Sequence, residues 1–314
     1  MRIASDRMMQ LNRMGRVPFV AGSDGHEAAQ VGAAWAVRPG VDWVVPYYRD
    51  LGVALVLGFS LLDEFRGVFS KATDPTSGGR QMLNQFSDAG RRVLTGSVIV
   101  ATQFPHAVGI ALAARIRREP LVVFAFGGDA ATTPGDWHEA MNFASVQRLP
   151  VVFCIENNTL AISTTIEKQM AVKDIAERAA AYAMPGVIAD GMDVLDAYEK
   201  TCAAAERARR GGGPTLVELK CYRFQPHTSD DDDSTYRTRE EVAAWKARDP
   251  LLLSRAYLES AGVSAATLDR MRAEVDAEVE LAIDQAEREP DPVPADGLRH
   301  LYAEADPLPD GTRG

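Results

Sequence analysis

Leu121-Val122-Val123-Phe124-Ala125-Phe126-Gly127-Gly128-Asp129-Ala130 is an apolar run that ends in two glycines and one carboxylate. Val151-Val152-Phe153-Cys154-Ile155-Glu156-Asn157-Asn158 repeats the pattern and ends in two amides. The apolar part of each run shows no alternation, so each reads as a strand buried on both faces of a parallel sheet. Between them, Thr133-Pro134-Gly135-Asp136 reads as a helix start, with Thr133 as N-cap, Pro134 at the first helical position and an acidic third position. Trp137, Met141 and Ala144 then recur at helical spacing. The unit is strand, helix, strand.

In an open α/β sheet, ligands sit beyond the carboxyl ends of the strands, so residues 127–131 and 156–160 are expected to face one crevice. Twenty-six residues separate Gly128-Asp129-Ala130 from Asn157-Asn158. The free amides of a helix start suit phosphate oxygens, and Asp129 and the Asn158 amide oxygen are hard ligands suited to Mg²⁺. The backbone carbonyl of Leu160, two phosphate oxygens and water would complete an octahedron. Taken singly, an Asp that caps a helix and an Asn pair that makes a turn are the ordinary readings. Their joint occurrence after two buried strands favours a metal-diphosphate clamp.

The chain has 314 residues, 46% of them hydrophobic and 25% charged, which is ordinary for a globular protein with a large core. A formal charge of −10, with no basic stripe or aromatic platform to offset it, argues against nucleic-acid binding. Arg207, Arg209 and Arg210 form the densest basic cluster, at a predicted helix end where cations favour the dipole. Cys154, Cys202 and Cys221 show neither paired nor metal-ligand spacing, and their odd number suggests a reducing compartment. No apolar stretch reaches the ~20 residues of a membrane helix, and the amino terminus shows no signal or transit pattern, so a cytoplasmic bacterial protein is expected.

Strand-like runs occur near residues 43–46, 98–101, 121–126, 151–155, 187–189 and 215–221, with helical patterns between them. The predicted helix over 105–118 is rich in small residues that permit close approach to a neighbour. After residue 237 the alternation stops: Thr238 and Glu241 read as a capping box, and Leu268, Met271, Val275, Val279, Ala282, Ile283 and Ala286 mark one helical face. The expected organisation is an α/β domain over 1–237, a helical extension over 238–289 packed on it, and an irregular proline-rich tail over 290–314.

Gly128-Asp129-Ala130 with Asn157-Asn158 resembles the thiamine diphosphate motif. Pro46-Tyr47-Tyr48-Arg49-Asp50, Gly79-Arg80-Gln81-Met82, Ala101-Thr102-Gln103 and the run from Tyr222 to Asp231 narrow the resemblance. Over about residues 12–290 the chain is similar to the α subunit of the thiamine-dependent, decarboxylating component of 2-oxo acid dehydrogenase complexes. The acidic run before Tyr236-Arg237 leans toward the branched-chain members, with pyruvate or acetoin as alternatives.

The resemblance implies a doubly wound, mostly parallel sheet of the thiamine diphosphate-binding fold with a C-terminal helical extension. It implies thiamine diphosphate and Mg²⁺ as cofactors, with Asp129, Asn158 and the Leu160 carbonyl on the metal. Tyr47, Tyr48, Arg49, Asp129, Ala130, Ala131 and Asn158 would hold the cofactor, with Tyr48 and Arg49 at the terminal phosphate. Val98 and Val100 would hold the aminopyrimidine through backbone groups, and His227 would sit on a loop touching the diphosphate or the reacting carbon. Ser97, Thr102 and Gln103 match a K⁺ site of some relatives. The implied partners are a β subunit, in an assembly of two α and two β chains, and a lipoyl-bearing acyltransferase, with a small 2-oxo acid as substrate. No glutamate here can be identified by spacing as the pyrimidine activator, so a site shared with β is expected.

The sequence departs from the family pattern at several points. Ala130 stands where glycine is usual, Gln85 replaces a histidine, Leu160 an aromatic and Ile99 a proline. Glu156 stands where some relatives place a phosphate-binding arginine, and its carboxylate is expected to turn away from a diphosphate. Two rival readings follow. A nucleotide-dependent oxidoreductase would need a Gly-x-Gly-x-x-Gly turn after its first strand, and none appears in that context. A degenerate subunit would keep the fold without the cofactor.

Overall fold

The computed structural model describes residues 1–299. Seven strands run in chain order: β1 (Trp43–Val45), β2 (Val123–Gly128), β3 (Val151–Asn157), β4 (Leu160–Ala161), β5 (Thr164–Thr165), β6 (Gly186–Asp190) and β7 (Thr215–Lys220). The helices are α1 (Arg2–Arg13), α2 (Glu27–Trp35), α3 (Leu51–Val56), α4 (Leu61–Val68), α5 (Gln103–Arg117), α6 (Gly135–Val146), α7 (Ile166–Gln169), α8 (Val194–Arg209), α9 (Arg239–Lys246), α10 (Pro250–Ser260) and α11 (Ala265–Arg288). Five strands form one parallel sheet in the order β1-β2-β3-β7-β6, and β4 and β5 make a small antiparallel ribbon.

The sheet is covered on both faces, as the unalternating runs require. Val122, Phe124, Phe126, Val152, Cys154, Val217 and Leu219 belong to one core with α1, α2, α4, α8 and α11. Val123, Ala125, Val151, Phe153, Ile155 and Leu216 belong to another with α5 and α6. In α5 it is Ala107, Ala111 and Ala114 that are buried, so its small residues serve the sheet contact. Across the other face, Gly32 of α2 meets α8 so closely that a Cβ would lie 2.6 Å from the Val194 carbonyl oxygen.

Two local expectations are corrected. Residues 98–101 are no strand: Val98, Ile99 and Val100 are exposed, and Ala101 takes φ +77° on entry to α5. The outer edge of β1 is taken by Val93, whose neighbours exchange backbone hydrogen bonds with Val44. Nor is Thr133 the cap of α6. Its hydroxyl donates to the Ala130 carbonyl at 2.9 Å, a 3₁₀ turn occupies Asp129–Thr132, and Pro134 is the N-cap.

Beyond residue 237, Thr238 caps α9 by accepting from the Glu241 amide, but the Glu241 carboxylate accepts from the Tyr222 hydroxyl at 2.7 Å and does not close the capping box. Trp245 stacks on Tyr222 with ring centroids 5.0 Å apart. On α11 only Val279, Ala282, Ile283 and Ala286 are buried, whereas Met271 and Val275 are exposed. The cause is length: 24 residues of α11 span about 36 Å, and the eight residues of α4 against which it packs span about 12 Å. Of the expected tail, Ala72 donates to the Pro290 carbonyl, Lys71 pairs with Asp291, and Pro294–Leu298 make a 3₁₀ turn. Residues 300–314 lie outside the described residues. Among the described residues no helix is long and apolar enough to cross a membrane.

The turn before α2 is fixed by one glycine. Gly25 has φ +92°, and a Cβ there would lie 1.9 Å from the Tyr222 carbonyl oxygen. Gly25→Ala combines left-handed strain with backbone collision, and is expected to destabilise the fold by at least about 2 kcal/mol, measured by denaturant unfolding. An unchanged midpoint would show that this turn is not held against the end of β7.

Candidate functional site

The carboxyl ends of β1, β2, β3 and β7 surround a cavity of about 370 Å³. Its wall includes Tyr47, Tyr48, Arg49, Val98, Val100, Asp129, Ala130, Asn158, Leu160 and His227, all expected site residues. Parallel strands deliver their carboxyl ends to one edge, so segments distant in sequence meet there.

Asp129 follows β2 and is 2% exposed. Its Oδ2 accepts from Gln169 Nε2 at 2.8 Å. Burial pushes its carboxyl above the usual range, opposed by Gln169, by the backbone amides of Asp129 and Asn158, and by the Arg223 charge. The Asn158 backbone therefore lies beside the Asp129 carboxylate. Ala130 keeps a negative φ, so its methyl group imposes no left-handed strain at the position where glycine was the norm.

The paired asparagines diverge because successive side chains of a strand point to opposite sides. Asn157 Nδ2 donates to Glu218 Oε1 at 2.7 Å, within the core. Asn158 lines the cavity, its Oδ1 accepting from the Leu160 amide at 3.2 Å and its Nδ2 lying 3.1 Å from His26 Nε2.

Arg49 and Arg223, each 1% exposed, flank the same cavity. Arg49 donates through Nη1 to the Gly22 carbonyl and through Nη2 to the His227 carbonyl at 3.3 Å, and its guanidinium lies over the Tyr48 ring. Arg223 donates through Nη2 to the Ile162 carbonyl at 3.1 Å and to the Tyr236 hydroxyl at 3.0 Å, while its Nε makes no hydrogen bond. All these acceptors are neutral. Arg223 stands in the motif that carries the resemblance, but the sequence analysis assigns it no role.

His227 Nδ1 lies 3.0 Å from Arg223 Nη1 and 3.4 Å from Arg49 Nη2, both obligate donors. Nδ1 must accept, which leaves the ring proton on Nε2. The acidic run builds the His227 loop: Asp231 accepts from the His227 amide at 2.7 Å and from the Tyr236 hydroxyl, Asp232 caps the following turn, and Asp233 pairs with Arg237.

Glu156 turns away from the cavity. It is wholly buried, and its Oε2 accepts from Gln30 Nε2 at 2.9 Å and from the Tyr47 hydroxyl at 3.0 Å. Ala131 packs in the core and does not line the cavity. Ser97, Thr102 and Gln103 also lie off the wall: Ser97 Oγ accepts from the Ile99 amide, and Gln103 Nε2 donates to the Phe126 carbonyl at 3.2 Å, leaving its buried Oε1 without a partner.

The chain matches the Dehydrogenase E1 component family over residues 1–295. It is 48% identical over 303 residues to the 2-oxoisovalerate dehydrogenase subunit alpha of Bacillus subtilis (strain 168), covering 96% of this chain and 92% of the relative. It is 43% identical over 261 residues to the 3-methyl-2-oxobutanoate dehydrogenase subunit alpha of Mycobacterium tuberculosis (strain ATCC 25618 / H37Rv), covering 83% and 68%. The pyruvate dehydrogenase E1 component subunit alpha of Staphylococcus aureus (strain Mu50 / ATCC 700699) is 38% identical over 263 residues, covering 83% and 68%. The chain belongs to the dehydrogenase E1 component family. Thiamine diphosphate use comes with that membership.

His227 is pushed down to about 4, first by burial and then by Arg49 and Arg223. The ring is thus neutral in the folded state at pH 7. An unfolded chain takes up this proton near pH ~6.5 and the folded chain only near 4, so the ring's contribution to stability is complete above ~6.5 and is lost as pH falls toward 4. Arg223→Met is expected to raise the His227 midpoint, followed by NMR of the imidazole. A midpoint still near 4 would assign the depression to burial and Arg49 alone.

Proposed function

We propose that this chain is the α subunit of a branched-chain 2-oxo acid dehydrogenase, binding thiamine diphosphate with Mg²⁺ at the cavity edge of the sheet. The observation that carries the reading is a pair of buried guanidinium groups, held only by neutral acceptors, facing the same cavity as one buried carboxylate and one amide. That donor set fits a diphosphate and a hard cation: Arg49 and Arg223, with Tyr48, would take phosphate oxygens, and Asp129, the Asn158 amide oxygen and the Leu160 carbonyl would take the metal.

Bound there, thiamine diphosphate supplies the carbon nucleophile and electron sink that allow a 2-oxo acid to lose carbon dioxide before its acyl group passes to a lipoyl arm. Within this chain, the 3₁₀ turn would present Asp129 to the metal, and the Arg pair would offset the charge of the phosphates. Val98 and Val100, which line the cavity, would hold the aminopyrimidine through backbone groups. His227, neutral and accepting at Nδ1, offers its Nε2 proton to an acceptor in the cavity. The exposed Val98-Ile99-Val100 segment at the cavity supports completion of the site by a β subunit, in an assembly of two α and two β chains. The unpartnered Gln103 Oε1 supports a K⁺ site with Ser97 and Thr102. The higher identity to relatives named for 2-oxoisovalerate and 3-methyl-2-oxobutanoate than to the pyruvate relative favours branched-chain substrates, and the bacterial origin of all three relatives fits the expected bacterial cytoplasmic enzyme.

Calorimetry on the αβ assembly is expected to show Mg²⁺-dependent thiamine diphosphate binding that weakens more than ~100-fold in Asp129→Ala, beyond the loss typical of a residue that only supports a ligand. Equal affinity in wild type and variant would remove Asp129 from the metal. In steady-state assays 3-methyl-2-oxobutanoate is expected to have a higher kcat/KM than pyruvate, and the isolated α subunit to be inactive. Full decarboxylation by α alone would refute a shared site.

A further inference from the structure

We infer that His26 fixes the orientation of the Asn158 side-chain amide, and thereby presents the amide oxygen of Asn158 to a divalent cation. The inference rests on the metal site proposed above. His26 is wholly buried at the start of α2 and does not line the cavity, so it would act through Asn158 as a positioning residue.

The orientation follows from donors and acceptors. Asn158 Oδ1 lies 3.2 Å from the Leu160 amide nitrogen, which can only donate. The other terminus of the amide is therefore the NH₂ group, and it faces His26 Nε2 at 3.1 Å. Nε2 has to accept, so the imidazole proton sits on Nδ1, which is buried and makes no hydrogen bond. Turned over, the amide would set its NH₂ group against the Leu160 N–H and expose its oxygen to an imidazole lone pair. Oδ1 accepts a single hydrogen bond in the observed orientation and keeps a second lone pair for a cation.

The imidazole is itself tightly located. The His26 amide donates to the Ser23 carbonyl at 3.1 Å, the His26 carbonyl accepts from the Gln30 amide at 2.9 Å, and the preceding Gly25 amide donates to Glu27 Oε2 at 2.8 Å. Gly25 leaves no room for a side chain against Tyr222. The turn that places His26 is thus registered against the segment that carries Arg223 and His227.

The test is a calorimetric titration of Mg²⁺ into the αβ assembly at fixed thiamine diphosphate, comparing wild type with His26→Leu and His26→Gln. His26→Leu deletes the acceptor and is expected to weaken Mg²⁺ binding by about ten- to a hundredfold. His26→Gln can accept through Oε1 and is expected to recover most of that loss. Equal affinity in wild type and H26L overturns the inference while leaving the metal site intact, and absence of Mg²⁺ binding in wild type overturns both. Equal weakening in H26L and H26Q, with both assembled, assigns the effect to side-chain volume and also overturns it. Should H26L not assemble, long-range ¹⁵N–¹H NMR of wild-type histidine decides: a His26 proton on Nδ1 supports the inference, and one on Nε2 defeats it.

Discussion

Two positive charges withdrawn from water without an anion are the constraint around which this molecule is arranged. Burying an ion costs several kcal/mol unless it is well solvated by the protein. Arg49 and Arg223 are instead solvated by backbone carbonyls and two tyrosine hydroxyls drawn from separate segments: Gly22, Ile162 and His227 through their carbonyls, Tyr48 and Tyr236 through their hydroxyls. Each acceptor must be held against competing water, which explains why the surrounding loops are so heavily tied. Arg237 donates to the carbonyls of Arg223, Phe224 and Gln225, and Ser23 Oγ and Gln30 Nε2 both donate to the Arg49 carbonyl.

Beneath Arg49 lies the counterpart. Asp50 and Glu156 are wholly buried neighbours, and burial pushes both carboxyls upward; for Asp50 the Glu156 charge adds to the rise. Two such groups, buried in contact, cannot both be charged at low cost, which is why each carboxyl is held above the usual carboxylate range. The Glu156 carboxylate, expected from the sequence to turn away from a diphosphate, accepts from Tyr47 and Gln30 instead.

The sheet, and the meeting of Asp129 with Asn158 at one cavity, were legible because they depend on local signals. Strands covered on both faces must be apolar throughout, and neighbouring parallel strands deliver their carboxyl ends to one edge. The run at residues 98–100 misled for the opposite reason: β-branched residues also occur where a chain bares apolar surface, and pairing depends on which segment reaches an edge first, here Val93. The cap of α6 slipped because a 3₁₀ turn used the Thr133 hydroxyl. Arg223, Gln169 and His26 were missed as site residues because their importance is made by tertiary proximity: nothing in an isolated His-Glu or Tyr-Arg-Phe reveals that an amide or a second guanidinium will lie against it. The half-buried face of α11 was overestimated because periodicity reports an apolar stripe and says nothing about the length of the helix opposite.

Strand order has a consequence for how the chain is made. β7 is the last strand of the main sheet to be synthesised, yet it lies between β3 and β6. Until about residue 220 has left the ribosome, β3 has an open flank and β6 has nothing to pair with, which is the kind of exposed edge that invites aggregation. Closing that gap draws Tyr222, Arg223 and His227 into place within the next few residues. Completion of the scaffold and completion of the anion pocket are thus one event, and a nascent chain arrested before it carries neither.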